Sequence, residues 1–247
     1  MRQLIKKITI YFLRIVLSKI KFSQQDFKKI LILAPHPDDE IFGMGGILLQ
    51  VKNQGGRIYI VYLTDGENSG VWPDKEETRR NRIALSEKVR KNLNLQPEDI
   101  TRLHLSDRAV PHPDQEGFRE VVIKISNFID TIKPDVVFAT HLLDYWPFDH
   151  VACAHIAQEA VKQSKHETQL WYYWVWAWYN IRSWQLLKIR FRHLQKIDIK
   201  EQILQKKALM DIYLKAITPG GKPWSGVLPK SLLKAFDYPV EIVERIN

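Results

Sequence analysis

The chain carries one cysteine, Cys153, in 247 residues. That excludes an internal disulfide and any zinc site built from several cysteines, and it fits a reduced, cytoplasmic setting. Long apolar runs are also missing. The stretch ITIYFLRIVL at 8–17 is broken by Arg14. It is too short and too charged for a membrane-spanning helix, which needs about 20 mostly apolar residues, and no small-residue cleavage site follows it. There is no internal repeat, low-complexity tract or linker. Acidic residues are in deficit: 28 Asp and Glu against 37 Lys and Arg leave a net charge of +9. Such a balance favours an anionic membrane surface, a phosphate-bearing substrate or nucleic acid. No nucleic-acid recognition motif is present, so nucleic acid is not expected as a partner.

Apolar patterning supplies the architecture. Short apolar runs at 28–34, 57–64, 100–105, 135–140 and 169–178 read as strands. Between them, 43–54, 76–95, 116–132 and 150–164 read as helices, with Gly55-Gly56 ending the first. Strands alternating with helices predict an α/β fold: a Rossmann-like, doubly wound, mostly parallel sheet with helices on both faces. A helix at 200–216, a loop at 218–226 and a short tail form a C-terminal helical/α+β extension from about residue 198. The first 24 residues read as a basic amphipathic helix. Leu4, Ile5, Ile8, Phe12, Ile15 and Val16 recur at helical spacing among Lys6, Lys7, Arg14 and Lys19. Its apolar face packs either on the domain or in a membrane interface. Residues 25–247 are then one domain.

One stretch carries chemistry. In ILILAPHPDDEIFGMGG (30–46) a buried strand stops at His36, Asp38, Asp39 and Glu40, followed by Gly43, Gly45 and Gly46. Capping a helix needs one carboxylate, not three. The glycines do not follow the phosphate-loop pattern, and acidic residues stand where a phosphate would go; close packing of the next helix on the sheet explains them better. In open α/β sheets ligands bind beyond the carboxyl ends of the strands, where strand order reverses. For the order 3-2-1-4-5, the loop after strand four, HLLDYWPFDHVACAH at 141–155, faces this motif. His36 and Asp39 can reach one point, and a ligand from the strand-four loop would complete a site of two His and one carboxylate, a set suited to catalytic zinc. Asp38, left over, is the candidate general base.

PHPDDE, LTDGE at 63–67 and Asp149-His150 resemble the PIG-L/LmbE-like family of zinc-dependent N-acetylglucosaminyl de-N-acetylases, over roughly residues 28–165, with a weaker echo at 197–213. The resemblance implies His36, Asp39 and His150 as zinc ligands and Asp38 as the base for a water attacking an acetamide. It also implies Arg82 and Asp107 as substrate-binding residues. Zinc is the implied cofactor, although this donor set also takes other divalent ions. Two departures stand out. The family commonly reads DYHPDH, its first His stabilising the oxyanion. This chain reads Asp144-Tyr145-Trp146-Pro147-Phe148-Asp149-His150, without that His, so His141 or Tyr145 is the candidate donor there. Three residues after Arg82 stands Leu85, where the family often has Glu.

The expected activity is removal of the N-acetyl group from an N-acetylamino sugar. The basic N-terminus, and the aromatic stretch 171–184 followed by KIRFRH, favour a lipid- or phosphate-linked glycan and peripheral attachment at the inner face of a membrane. A soluble thiol-sugar precursor is the alternative substrate, and a catalytically weak glycan- or membrane-binding relative the alternative role.

Overall fold

The apolar run KILILA forms β1, Lys29–Ala34, a strand buried on both faces. The computed structural model describes residues 8, 11, 13, 15–23 and 25–247. After β1 come α1 (Asp39–Asn53), β2 (Arg57–Thr64), α2 (Lys75–Asn92), β3 (Ile100–Leu105), α3 (Phe118–Ile132), β4 (Val136–Thr140), α4 (Phe148–Gln163) and β5 (Gln169–Tyr173). The tail adds a short helix α5 (Ala177–Asn180), a 3-10 turn (Ser183–Lys188), β6 (Leu194–Asp198), α6 (Ile203–Leu214), α7 (Lys230–Phe236) and β7 (Val240–Arg245).

The seven strands lie in the order β3-β2-β1-β4-β5-β7-β6. The first five are parallel, as expected, and β7 pairs antiparallel with both β5 and β6. Strand alternation divides the core. Ile30, Ile32, Ile60, Phe138, Trp171 and Tyr173 face one way, under α1, α2 and the tail helices. Leu31, Leu33, Val61, Val137, Leu170 and Tyr172 face the other, under α3 and α4. Val121, Val122, Ile125 and Ile129 recur at helical spacing on α3 and supply its buried stripe.

Three sequence expectations change. First, α1 begins at Asp39, not at residue 43, so the acidic motif is its first turn. Second, β5 ends at Tyr173, because Asp144 accepts hydrogen bonds from the N–H groups of Val175 and Ala177 and draws the chain off the sheet. Trp174, Val175, Ala177 and Trp178 therefore all join one core instead of alternating between two. Third, in the N-terminal segment Leu13 and Leu17 are buried in the larger core while Ile8 and Ile15 are exposed. Leu4, Ile5 and Phe12 lie outside the described residues. Among the described residues no helix is long and apolar enough to cross a membrane.

The glycines of α1 act as anticipated. A Cβ at Gly43 would collide with the Tyr173 ring, and one at Gly46 with Ile199. This closeness lets a buried ion pair reach the helix backbone. Glu241 of β7 accepts from the N–H groups of Gly46 and Ile47, both at 2.8 Å. Lys206 of α6 binds Glu241 at 2.7 Å and donates to the Phe42 carbonyl at 3.0 Å. Removing one partner of such a pair strands a buried charge. Lys206→Met is expected to lower unfolding free energy by about 3–5 kcal/mol, measured by urea titration. Lys206→Met/Glu241→Gln, which keeps an acceptor for α1, should recover part of that loss. A single-variant loss near zero would show that the pair does not hold α1.

Candidate active site

The motif turns at the carboxyl end of β1. Asp38, the residue before α1, has φ 125°, a region that side-chain-bearing residues rarely adopt. Two contacts hold it there. Glu40 accepts the Asp38 N–H at 2.9 Å through one oxygen and the Tyr213 hydroxyl at 2.7 Å through the other. Arg82, on α2, donates to the Pro37 carbonyl at 2.6 Å and to Asp38 Oδ2 at 3.1 Å. Glu40 is thus a structural brace, and Arg82 reaches the site by gripping Asp38.

Asp39 Oδ2 is the focal atom. It accepts the His36 N–H at 3.0 Å and lies 3.1 Å from His36 Nδ1 and 3.3 Å from His150 Nε2. His150 comes from the first turn of α4, so β1 and β4, neighbours in the sheet, deliver the two imidazoles to one point. The far side of each ring is held by a carboxylate. His36 Nε2 lies 3.1 Å from Asp149 and 3.3 Å from Asp107; His150 Nδ1 lies 3.2 Å from Asp144. Asp149 also accepts the N–H groups of Arg108 and Val110, tying the loop after β3 to the site. Asp149 is therefore an orienting carboxylate and not the cap of α4, which follows Pro147.

Burial and charge act against each other here. Burial pushes the Asp38 carboxyl up to about 8, with Arg82 opposing and Asp39 reinforcing the rise. Burial would lower His150, but the charge of Asp39 and the bond to Asp144 raise it to about 9. His36 is raised well above its usual value against its burial, by Asp107, Asp149 and Asp39. Asp39 is held well below the usual carboxylate range, against its burial, chiefly by His150. Asp107, also opposed by burial, is brought down to about 2 by His36. The cluster is built to hold positive charge.

A divalent ion fits this set. His36, Asp39 and His150 offer one ligand atom each, all within 4.8 Å of one another. Their separations on Asp39, 3.1 and 3.3 Å, approach the roughly 3.3 Å edge of a tetrahedron with metal–ligand bonds of about 2 Å. His150 Nε2 is fully buried with no hydrogen-bond partner, an orphan that a metal would satisfy. His36, Asp107 and Asp149 form a second close group. It shares His36, and its Asp149 is already engaged by backbone N–H groups.

The cluster floors a pocket of about 410 Å³. His36, Asp38, Asp39, Arg82 and Asp107 line its polar side. Phe42, Trp176, Leu228, Leu232 and Phe236 line an apolar wall. Tyr145 does not line it: its hydroxyl accepts from Arg182 Nε at 3.0 Å, and the residue faces a neighbouring cleft. His141 is likewise engaged elsewhere, Nε2 with Glu244 at 2.6 Å and Nδ1 with the Leu143 N–H at 2.9 Å. Neither candidate for the missing oxyanion donor stands at the pocket. Trp146 and Pro147 do, with Ser69 and Arg108 from other loops. The Ser69 hydroxyl oxygen is buried and unpartnered. Asp144, the apolar wall and Arg108 escape a reading of the sequence. The one available signal was Asp144 opening the acidic string before His150.

A family model described as GlcNAc-PI de-N-acetylase, PIG-L, matches residues 31–161. The probable N-acetyl-alpha-D-glucosaminyl L-malate deacetylase 2 of Bacillus subtilis is 24% identical over 141 residues, 56% of this chain and 62% of that protein. The diacetylchitobiose deacetylase of Thermococcus kodakarensis is 32% identical over 164 residues, 59% of this chain and 55% of that protein. The matches thus span little more than half the length of these relatives. N,N'-diacetylchitobiose deacetylase from Pyrococcus horikoshii shares the fold, with a TM-score of 0.62 at 20% identity over 92% of this chain and 82% of that one. The family match runs from β1 into α4 and takes in the acidic motif, Arg82, Asp107 and the Asp149-His150 pair; the chain belongs to the PIG-L, GlcNAc-PI de-N-acetylase, family.

Proposed function

We propose that this chain is a metal-dependent hydrolase that removes the N-acetyl group from an N-acetylamino sugar of GlcNAc type. The observation that carries the reading is His150 Nε2, buried without a hydrogen bond, converging with His36 Nδ1 on Asp39, where His36, Asp38 and Asp39 line the pocket. His36, Asp39 and His150 hold the ion, zinc by donor type. When bound, the ion supplies Lewis acidity to the amide carbonyl and to the attacking water.

The other steps belong to the protein. Asp38, gripped by Arg82 beside the ligand set, takes the proton of the attacking water and returns it to the departing amine. Arg82 keeps the Asp38 carboxylate turned to the pocket. Negative charge growing on the carbonyl oxygen finds Ser69 and Arg108 among the pocket-lining donors, in place of the family's His. Asp107 lines the pocket, and its carboxylate, which already accepts the Asn68 N–H at 2.7 Å, is the acceptor proposed for a sugar hydroxyl. The apolar wall and the exposed Arg108 at the mouth suit an aglycone that is lipid- or phosphate-linked.

Two measurements test this reading. Asp38→Asn should lower kcat for acetate release from a GlcNAc-type substrate by roughly 10²–10⁴ while leaving divalent-ion binding in place; full activity in this variant would remove Asp38 from the mechanism. Asp144→Asn should weaken divalent-ion affinity by roughly 10–100-fold, read by chelator competition on protein whose circular dichroism is unchanged. Unaltered affinity would mean that Asp144 anchors only the chain after β5.

A further inference from the structure

The rim of the pocket is apolar where a water-facing surface would be polar. From the loop after β4, Trp146 is 48% exposed and Phe148, the first residue of α4, is 65% exposed. Across the mouth, Val227 is 65% exposed. Trp146 is held in place, its ring edge-on to Trp176 with centroids 4.9 Å apart. Phe148 also borders the neighbouring cleft of about 560 Å³, which Trp184 and Lys188 line. The 3-10 turn Ser183–Lys188 continues the surface with Trp184 at 51% and Leu187 at 90% exposure. Exposed large apolar side chains thus run from the pocket mouth onto this turn.

The charge around them has one sign. Residues 181–192, IRSWQLLKIRFR, hold Arg182, Lys188, Arg190 and Arg192 and no acidic residue. Lys188 Nζ sits 4.8 Å from the Trp184 ring centre, and Arg182 stacks over Tyr145 at 4.7 Å. Glu244, the acidic residue lining the cleft, is already engaged by His141 and Arg190. Arg108 adds a cation at the mouth. Tryptophans with exposed aliphatics, fringed by Lys and Arg, match the boundary of an anionic bilayer, where the rings take the headgroup level and the cations meet lipid phosphates. A soluble sugar would not require such a rim.

We propose that the surface formed by Trp146, Phe148, Trp184 and Leu187 docks on an anionic lipid membrane and brings the pocket mouth to an amino sugar whose aglycone is the lipid. The delivery half rests on the deacetylase reading; the docking half does not. The test uses the full chain with vesicles of phosphatidylglycerol and phosphatidylcholine, and of phosphatidylcholine alone, followed by cosedimentation at low and high salt. The expected result is binding at least tenfold tighter to the anionic vesicles and weakened by salt. Trp184→Ser/Leu187→Glu, which changes two exposed positions outside the pocket, should lose at least tenfold of that binding. The same variant should release acetate from a lipid-free N-acetylamino sugar at the wild-type rate, and more slowly than wild type from a vesicle-borne glycolipid. Lys188→Glu/Arg192→Glu, tested in parallel, should lose vesicle binding through charge alone.

Wild-type protein that ignores anionic vesicles would overturn the proposal. So would a Trp184→Ser/Leu187→Glu variant that binds as tightly as wild type, since the membrane contact would then lie elsewhere, as on the N-terminal segment. A chain that ignores vesicles but forms a dimer broken by the same substitutions would assign the surface to a second copy. Equal rates on the glycolipid for variant and wild type would overturn delivery. Absence of acetate release from every sugar, with vesicle binding intact, would fail the deacetylase reading and leave the docking surface standing.

Discussion

Eight carboxylates among the described residues, from Asp38, Asp39, Glu40, Asp65, Glu67, Asp107, Asp144 and Asp149, are buried at one end of the sheet, and the architecture around them follows from the need to compensate that charge. An ion buried without partners costs several kcal/mol even after relaxation. Here each carboxylate has partners from elements distant in the chain. Asp149 takes backbone N–H groups from the loop after β3, Asp144 from the segment after β5, and Glu40 a hydroxyl from α6. The imidazoles of His36 and His150 stand between them. Loops that look irregular are held in place because their N–H groups neutralise the site.

The pocket divides along the sequence. The side chains proposed to carry chemistry lie between residues 36 and 150, inside the segment matched by the family model. Of the apolar wall, Phe42 lies inside that segment, while Trp176, Leu228, Leu232 and Phe236 lie beyond it. The two parts are not independent, because the same tail braces the motif: Tyr213 donates to Glu40, and Lys206 and Glu241 hold the backbone of α1.

What could be read in advance follows the same line. The parallel order of β1 to β5 was legible because each strand is a short apolar run between helical periods. The meeting of His36 with the strand-four loop was legible because strand order alone sets it. The end of β5 was not: local pattern predicts a strand through residue 178, and only the distant Asp144 overrides it. Tyr145 was placed in the site by its neighbours in sequence. The turn through Trp146 and Pro147 sends it instead toward Arg182. In the N-terminal segment the spacing marks one apolar stripe, of which Ile8 and Ile15 are exposed, while the described core takes Leu13 and Leu17 instead.

The place of β7 has a consequence for how the chain is made. It follows every other element in sequence, yet it sits inside the sheet between β5 and β6 and carries Glu241, the acceptor for the backbone of α1 and the counter-charge of Lys206. During synthesis the parallel half of the sheet emerges first, and domains begin to fold as they leave the ribosome. The helix that opens with Asp39 then waits, with a buried lysine unpaired beside it, until β7 is made. Completion of the end of the sheet that carries the acidic motif is thereby tied to the arrival of β7, so a ribosome that stops before that strand releases a product unable to settle the motif.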